Sequence, residues 1–200
     1  MAVRRAFLTI ALATAAALAA ALTAGCDRAG APQFKAIDIT GADYAQGFDL
    51  PDAQGQRRTL ADFRGKVTVV FFGFTHCPDV CPTTMLELAE VRKALGADGA
   101  RVAGVFITVD PERDTPEVLG PYVSAFAPDF VALRGTPDET RALAKAFKVF
   151  YNKVPGKTAD SYSIDHTAGA YVFDAQGRVR LFTRYGTGAE ALKHDLALLL

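Results

Sequence analysis

The 200-residue sequence predicts an α/β domain with a central mixed sheet and helices on both faces. Three observations carry that expectation. Short apolar runs alternate with stretches of helical period in the order β-α-β-α-β-α-β-β-α, which suits a mixed sheet. About half of the residues are apolar, enough for one sizeable core. The run Val67 to Phe72 is apolar enough to be a buried strand, and it leads through a glycine-containing turn into a helix.

The elements follow in order. Phe48-Asp49-Leu50 alternates, and Asp52 to Gln56 forms a turn, so a small hairpin precedes the core. Thr59 is placed to cap a short segment, Leu60 to Phe63, that Arg64-Gly65-Lys66 ends. After the strand Val67 to Phe72, Pro82 belongs in the first turn of a helix, because it donates no hydrogen bond and its ring clashes farther inside. Met85, Leu88, Ala89, Arg92 and Leu95 trace one stripe of that helix over Thr84 to Leu95, and Gly96 stops it. Arg101 to Val109 is a second buried strand, followed by the loop Asp110 to Pro116 and a helix from Pro116 to about Phe126. Phe130 to Leu133 is a short strand. Thr136-Pro137-Asp138-Glu139 has capping-box spacing, so a helix runs from Pro137 to Phe147. Tyr151 to Asp165, with Pro155-Gly156-Lys157, is expected as an exposed loop. Ala168 to Phe173 and Arg178 to Thr183 form a hairpin, and Ala189 to Leu200 closes the chain as an amphipathic helix.

Ahead of the domain, expected over 47–200, stand a leader over residues 1–26 and a tether over 27–46. Arg4 and Arg5 precede an uncharged run, Phe7 to Leu22, and the small residues Thr23-Ala24-Gly25-Cys26 close it, the pattern of an export signal. Gly25-Cys26 resembles a lipidation site, with Leu22 one place early. Phe7 to Gly25 is also about long enough to span a membrane uncleaved, and Arg4-Arg5 has a twin-arginine character. The expectation is export with membrane attachment, through an N-terminal helix or a lipidated Cys26; a cleaved, soluble product is the alternative. Beyond Arg4 and Arg5, acidic residues outnumber basic ones by two, and no basic stripe appears. Nucleic-acid binding has little support.

Cys77 and Cys81, four positions apart on a connection into a helix N-terminus, are the chemistry the chain offers. Unpaired N–H groups there favour a thiolate. As a structural staple the pair would restrain little chain entropy, because the loop it closes is so short. A strand, a cysteine-bearing turn and a helix match the thioredoxin plan. A metal at the pair would need further ligands, so the three histidines matter. His76 adjoins Cys77 and is open to a capping or exposed role; His194 lies among charged residues of the last helix; His166 precedes the strand Ala168 to Phe173.

Phe72-Gly73-Phe74-Thr75-His76-Cys77-Pro78-Asp79-Val80-Cys81-Pro82 resembles the signature of the SCO/SenC family of copper proteins. Two further segments are similar to that family in the same order: Thr108 to Pro116, and Asp165-His166-Thr167 followed by Tyr171-Val172-Phe173-Asp174. The resemblance covers Phe48 to the C-terminus. It implies a thioredoxin-like fold in which Cys77, Cys81 and His166 bind one copper ion. Two thiolates and an imidazole suit soft Cu(I) and also accept Cu(II); zinc would take the same donors with a fourth ligand. The resemblance further implies a metallochaperone on the periplasmic face of a bacterial membrane. Its partner would be subunit II of cytochrome c oxidase, whose binuclear copper A centre receives the copper. The alternative is a thiol–disulfide oxidoreductase using Cys77 and Cys81 as a redox pair on that subunit, on another copper chaperone or with periplasmic thiol reductants. In that case His166 is dispensable.

Overall fold

The computed structural model describes residues 32–158 and 161–200. In chain order its strands begin with β1 (Ile37–Asp38), β2 (Asp49–Pro51), β3 (Arg57–Thr59) and β4 (Val67–Gly73). Helix α1 (Val80–Ala94), strand β5 (Val102–Thr108), helix α2 (Pro116–Ser124), strand β6 (Val131–Leu133) and helix α3 (Pro137–Ala146) follow. The chain closes with β7 (Tyr151–Pro155), β8 (Tyr162–His166), β9 (Gly169–Phe173), β10 (Val179–Arg184) and α4 (Ala189–Ala197). Short 3₁₀ turns span Leu60–Phe63 and Gly96–Arg101.

The main sheet has the order β1-β10-β9-β4-β5-β6. β4 pairs in parallel with β5 and β5 with β6, while β9 runs antiparallel along the other side of β4. All seven residues of β4 and of β5 are buried, as strands covered on both faces must be. Successive side chains of β4 point to opposite faces. Phe71 meets Phe106, and Phe106 meets Tyr122 of α2. Phe72 points the other way, onto Phe147 at the end of α3, which also packs on Tyr171 and Phe173. α1 packs against α4. A mixed sheet with helices on both faces is the thioredoxin-like arrangement that the element order predicts.

Local signals explain the boundaries. Thr136 accepts from the Glu139 N–H at 3.2 Å while Glu139 Oε2 accepts from the Thr136 N–H at 2.8 Å, so the expected capping box opens α3. Thr59 and Asp62 form the same device ahead of Leu60–Phe63. Gly96 ends α1 with φ +59, a left-handed conformation that glycine adopts without strain. On the stripe of α1, Arg92 reaches Asp129 with two bonds of 2.6 and 2.7 Å while its guanidinium lies over the Phe130 ring.

Three expectations need correction. Helix α1 begins at Val80, not Thr84, so Cys81 and Pro82 both lie in its first turn. The segment over Phe34 to Gln46, expected as tether, is built onto the domain. β1 pairs with β10, the N–H groups of Lys35 and Ala36 donate to the buried carboxylate of Asp195, and Ala45 is fully buried. Main-chain bonds hold this segment, which is why its side chains show no period. Finally, Tyr151 to Asp165 is not a loop but mostly a ribbon, β7 paired antiparallel with β8 from Tyr151↔His166 to Pro155↔Tyr162. Most of β7 is exposed, so its polar composition reflects solvent and not irregular structure. The leader, with Cys26, lies outside the described residues. Among those described, no helix is long and apolar enough to cross a membrane.

Candidate metal centre

β4 ends at Gly73, and a tight turn, with the Cys77 N–H on the Phe74 carbonyl at 3.2 Å, carries Cys77 to the start of α1. Gly73 is there for space: a Cβ on it would lie 2.8 Å from Cys81 Sγ and 2.8 Å from the Phe71 ring. Cys81 is wholly buried and Cys77 half-buried, and both thiols are free. The helix N-terminus acts on Cys77 as the charge argument expects: the Cys81 N–H donates to its sulfur at 3.4 Å.

His166 arrives from the far side of the sheet. It ends β8, and the pairing of β9 with β4, which sets Ala170 opposite Phe71, brings the start of β9 beside the end of β4. Its ring stands edge-on to Phe71 and Phe74, each 5.9 Å away between centroids. Nδ1 lies 3.1 Å from the Thr167 carbonyl. A carbonyl oxygen only accepts, so this bond places the proton on Nδ1 and leaves the Nε2 lone pair 3.5 Å from Cys81 Sγ. One donor atom each from Cys77, Cys81 and His166 lie within 4.8 Å of one another. The three residues singled out in the sequence are therefore brought together. His76 and His194 are not: His76 is exposed and bonds Thr75 Oγ1, while His194 bonds Asp195 on α4.

The two thiols are electrostatically unequal. The Cys81 thiol, as donor, lowers Cys77 to about 5, aided by the N–H groups of Cys81 and Asp79. Cys81, beside that thiolate and buried, is pushed far up. Asp79 contributes its backbone N–H in favour of the thiolate. Near the pair, burial pushes the Tyr122 phenol up, with the two cysteines next in effect, and its hydroxyl has no partner among the described residues.

The supporting residues come from the Asp110 to Pro116 loop, part of a family-like segment, and only their partners were hidden in the sequence. Asp114 is completely buried and accepts from the Thr75 N–H at 3.1 Å, the Thr75 hydroxyl at 2.5 Å and the Thr108 hydroxyl at 2.5 Å. Asp110, also buried, accepts from the Tyr162 hydroxyl at 2.7 Å and pairs with Arg113. Burial and that hydrogen bond push the Tyr162 phenol up to about 12. The available signal was two aspartates flanking an arginine beside a buried strand, where unpaired charge is costly.

Comparisons with known proteins agree with this geometry. The family model SCO1/SenC matches residues 38–200. A "SCO2-like protein" of Rickettsia felis is 38% identical over 132 residues, covering 66% of this chain and 64% of that protein. The human "Protein SCO2 homolog, mitochondrial" is 39% identical over 140 residues, covering 69% of this chain and 52% of that one. The chain thus spans less than two thirds of the length of these curated relatives. Among solved structures, Bradyrhizobium japonicum ScoI with copper bound is 42% identical with a TM-score of 0.69, covering 77% of this chain and 98% of its own. Apo Sco1 from Thermus thermophilus is 38% identical with a TM-score of 0.75, covering 86% and 100%. A family model matching most of the chain, relatives of this identity and the sheet that brings Cys77, Cys81 and His166 together lead to one conclusion: the chain belongs to the SCO1/SenC family.

Proposed function

We propose that this chain binds one copper ion through Cys77, Cys81 and His166 and delivers it to the copper A centre of cytochrome c oxidase subunit II. The observation that carries the reading is the convergence of two thiols and an imidazole nitrogen within 4.8 Å. Donors bonded to one metal at about 2.0–2.3 Å stand at most about 4.6 Å apart, so these side chains need only a small inward movement. Thiolate sulfur and imidazole favour copper among the common divalent ions and suit Cu(I) in particular. His166 already has its Nδ1–H on a carbonyl, which orients Nε2 as the donor. Relatives solved with copper bound support the choice of metal.

Delivery needs an exchangeable ligand. Cys77 is the accessible donor and Cys81 the buried one. An incoming thiolate of the partner therefore displaces Cys77 first: one copper–sulfur bond forms, one breaks, and the oxidation state is unchanged. In the same reading, the leader over residues 1–26 exports the chain and attaches it at the periplasmic face of the membrane, by an uncleaved helix or through Cys26.

A second reading has one observation in its favour, the lowered Cys77 beside a buried Cys81, which suits an attacking and a resolving thiol of a disulfide reductase. One titration separates the two. The full-length chain, reduced and anaerobic in detergent, is titrated with Cu(I) beside His166→Ala and a Cys77→Ser/Cys81→Ser double variant. The expected result is one tightly bound copper, weakened at least about tenfold without His166 and lost without the thiols. Uptake indifferent to His166 would move the assignment to the reductase.

A further inference from the structure

The motif from Asp110 to Pro116 supplies no metal donor, yet it touches both halves of the candidate site. Its turn is closed on itself, with the N–H groups of Arg113 and Asp114 on the Asp110 carbonyl at 3.2 and 2.9 Å. From one end Asp114 reaches the thiol half. Its buried carboxylate takes both the N–H and the hydroxyl of Thr75, two residues before Cys77. From the other end Asp110 and Arg113 reach the imidazole half. Asp110 Oδ1 accepts the Tyr162 hydroxyl at 2.7 Å, and Arg113 donates to the Tyr162 carbonyl at 2.9 Å. The Arg113 guanidinium, paired with Asp110, lies 3.5 Å from the centre of the Tyr162 ring.

Tyr162 and His166 stand four residues apart in β8, and side chains of a strand alternate, so both project from the same face. Fixing Tyr162 therefore fixes the face that bears His166. This matters because β7 and β8 pair only with each other in a two-stranded sheet. Such a ribbon is marginal on its own, and its other side-chain tie to the motif, Lys153 to Glu112, is exposed and weak.

We propose that the Asp110–Asp114 turn is a positioning bracket that sets His166 against the two thiols. Asp114 governs the thiol arm through Thr75; Asp110 and Arg113 govern the imidazole arm through Tyr162. The inference rests on the reading of Cys77, Cys81 and His166 as metal ligands, but its two arms are also testable without metal.

The test uses the full-length chain with Tyr162→Phe, which keeps the ring and removes only the hydroxyl, and Thr75→Val. Three quantities are measured: Cu(I) affinity, amide hydrogen exchange along β8 in the metal-free chain, and the reduction potential of the Cys77–Cys81 pair. Tyr162→Phe is expected to speed exchange from Ile164 to His166 and to weaken Cu(I) binding, each about tenfold, the scale of one bond to a charged acceptor. It should leave the thiol potential unchanged. Thr75→Val is expected to shift the potential and leave β8 exchange as in the parent chain. Unchanged exchange in Tyr162→Phe, or both variants moving both metal-free readouts alike, overturns the bracket. Parent protein that takes up no Cu(I) overturns the metal reading instead, and the exchange and potential data still decide the bracket.

Discussion

Cys77 and Cys81 are the same amino acid four positions apart, and their surroundings make them opposites. The half-buried Cys77 receives the Cys81 N–H and the Cys81 thiol proton, whereas Cys81 is sealed behind Gly73 and the Phe71 ring. The sign of the consequence is fixed by which form each partner favours. Donors to Cys77 stabilise its thiolate, so its proton leaves near pH 5 instead of at the ordinary 9.0. In the reduced, metal-free chain, iodoacetamide should therefore modify Cys77 at a nearly constant rate from pH 8 down to about pH 6 and more slowly below about pH 5. Cys81 should stay unmodified throughout that range. A rate that climbs tenfold per pH unit between 6 and 8 would describe an ordinary thiol and remove the asymmetry.

Among elements, the N-terminal segment shows how a few main-chain bonds convert an apparent tether into part of the fold. Asp195, buried in α4, accepts from Lys35 and Ala36, and His194 bonds the same carboxylate at 2.9 Å. Replacing it, as Asp195→Ala, strands two N–H groups and frees β1 from the edge of β10. The expected cost is about 1.5–3 kcal/mol, the range for hydrogen bonds to a charged group, read from urea unfolding. Amides of Lys35 and Ala36 should lose protection against exchange while those of β4 and β5 keep theirs. Equal loss in all strands would mean that Asp195 supports the core and not the edge.

For the whole molecule, Phe147 is the point where the sheet's two halves are joined. It is fully buried and packs on Phe72 of β4 and on Tyr171 and Phe173 of β9. The Tyr171 hydroxyl also donates to its carbonyl. Because β4 leads into the cysteine-bearing turn and β9 follows the histidine, this one ring packs both strands that position the site. Phe147→Ala is expected to destabilise the fold by about 3–5 kcal/mol in denaturant titrations, with cavity formation adding to the lost burial. A loss under about 1 kcal/mol would show that the neighbouring rings close the gap.

Most of the framework was legible because it is local. Apolar runs, a capping box at Thr136 and a glycine stop at Gly96 act within a few residues, and apart from the start of α1 the central strands and helices fall close to where these signals set them. The ribbon β7–β8 and the docked segment before Gly47 were illegible for a common reason. Both are held by main-chain pairing between short segments, too short for the alternation of β8 to stand out from the polar residues around it. The Thr75–Asp114 and Tyr162–Asp110 bonds were hidden differently, since they join residues 39 and 52 positions apart that no spacing relates.

What the sequence by itself determined is the thiol pair, because a buried strand, a turn and a helix N-terminus are specified by consecutive residues. Its resemblance to a copper-protein family then pointed to His166. Only the tertiary structure decided that His166 meets the pair, across 85 residues. The physical reason is the register of β9 against β4: the antiparallel ladder sets Ala170 opposite Phe71, which puts the start of β9, and the imidazole just before it, beside the end of β4 and the thiols that follow.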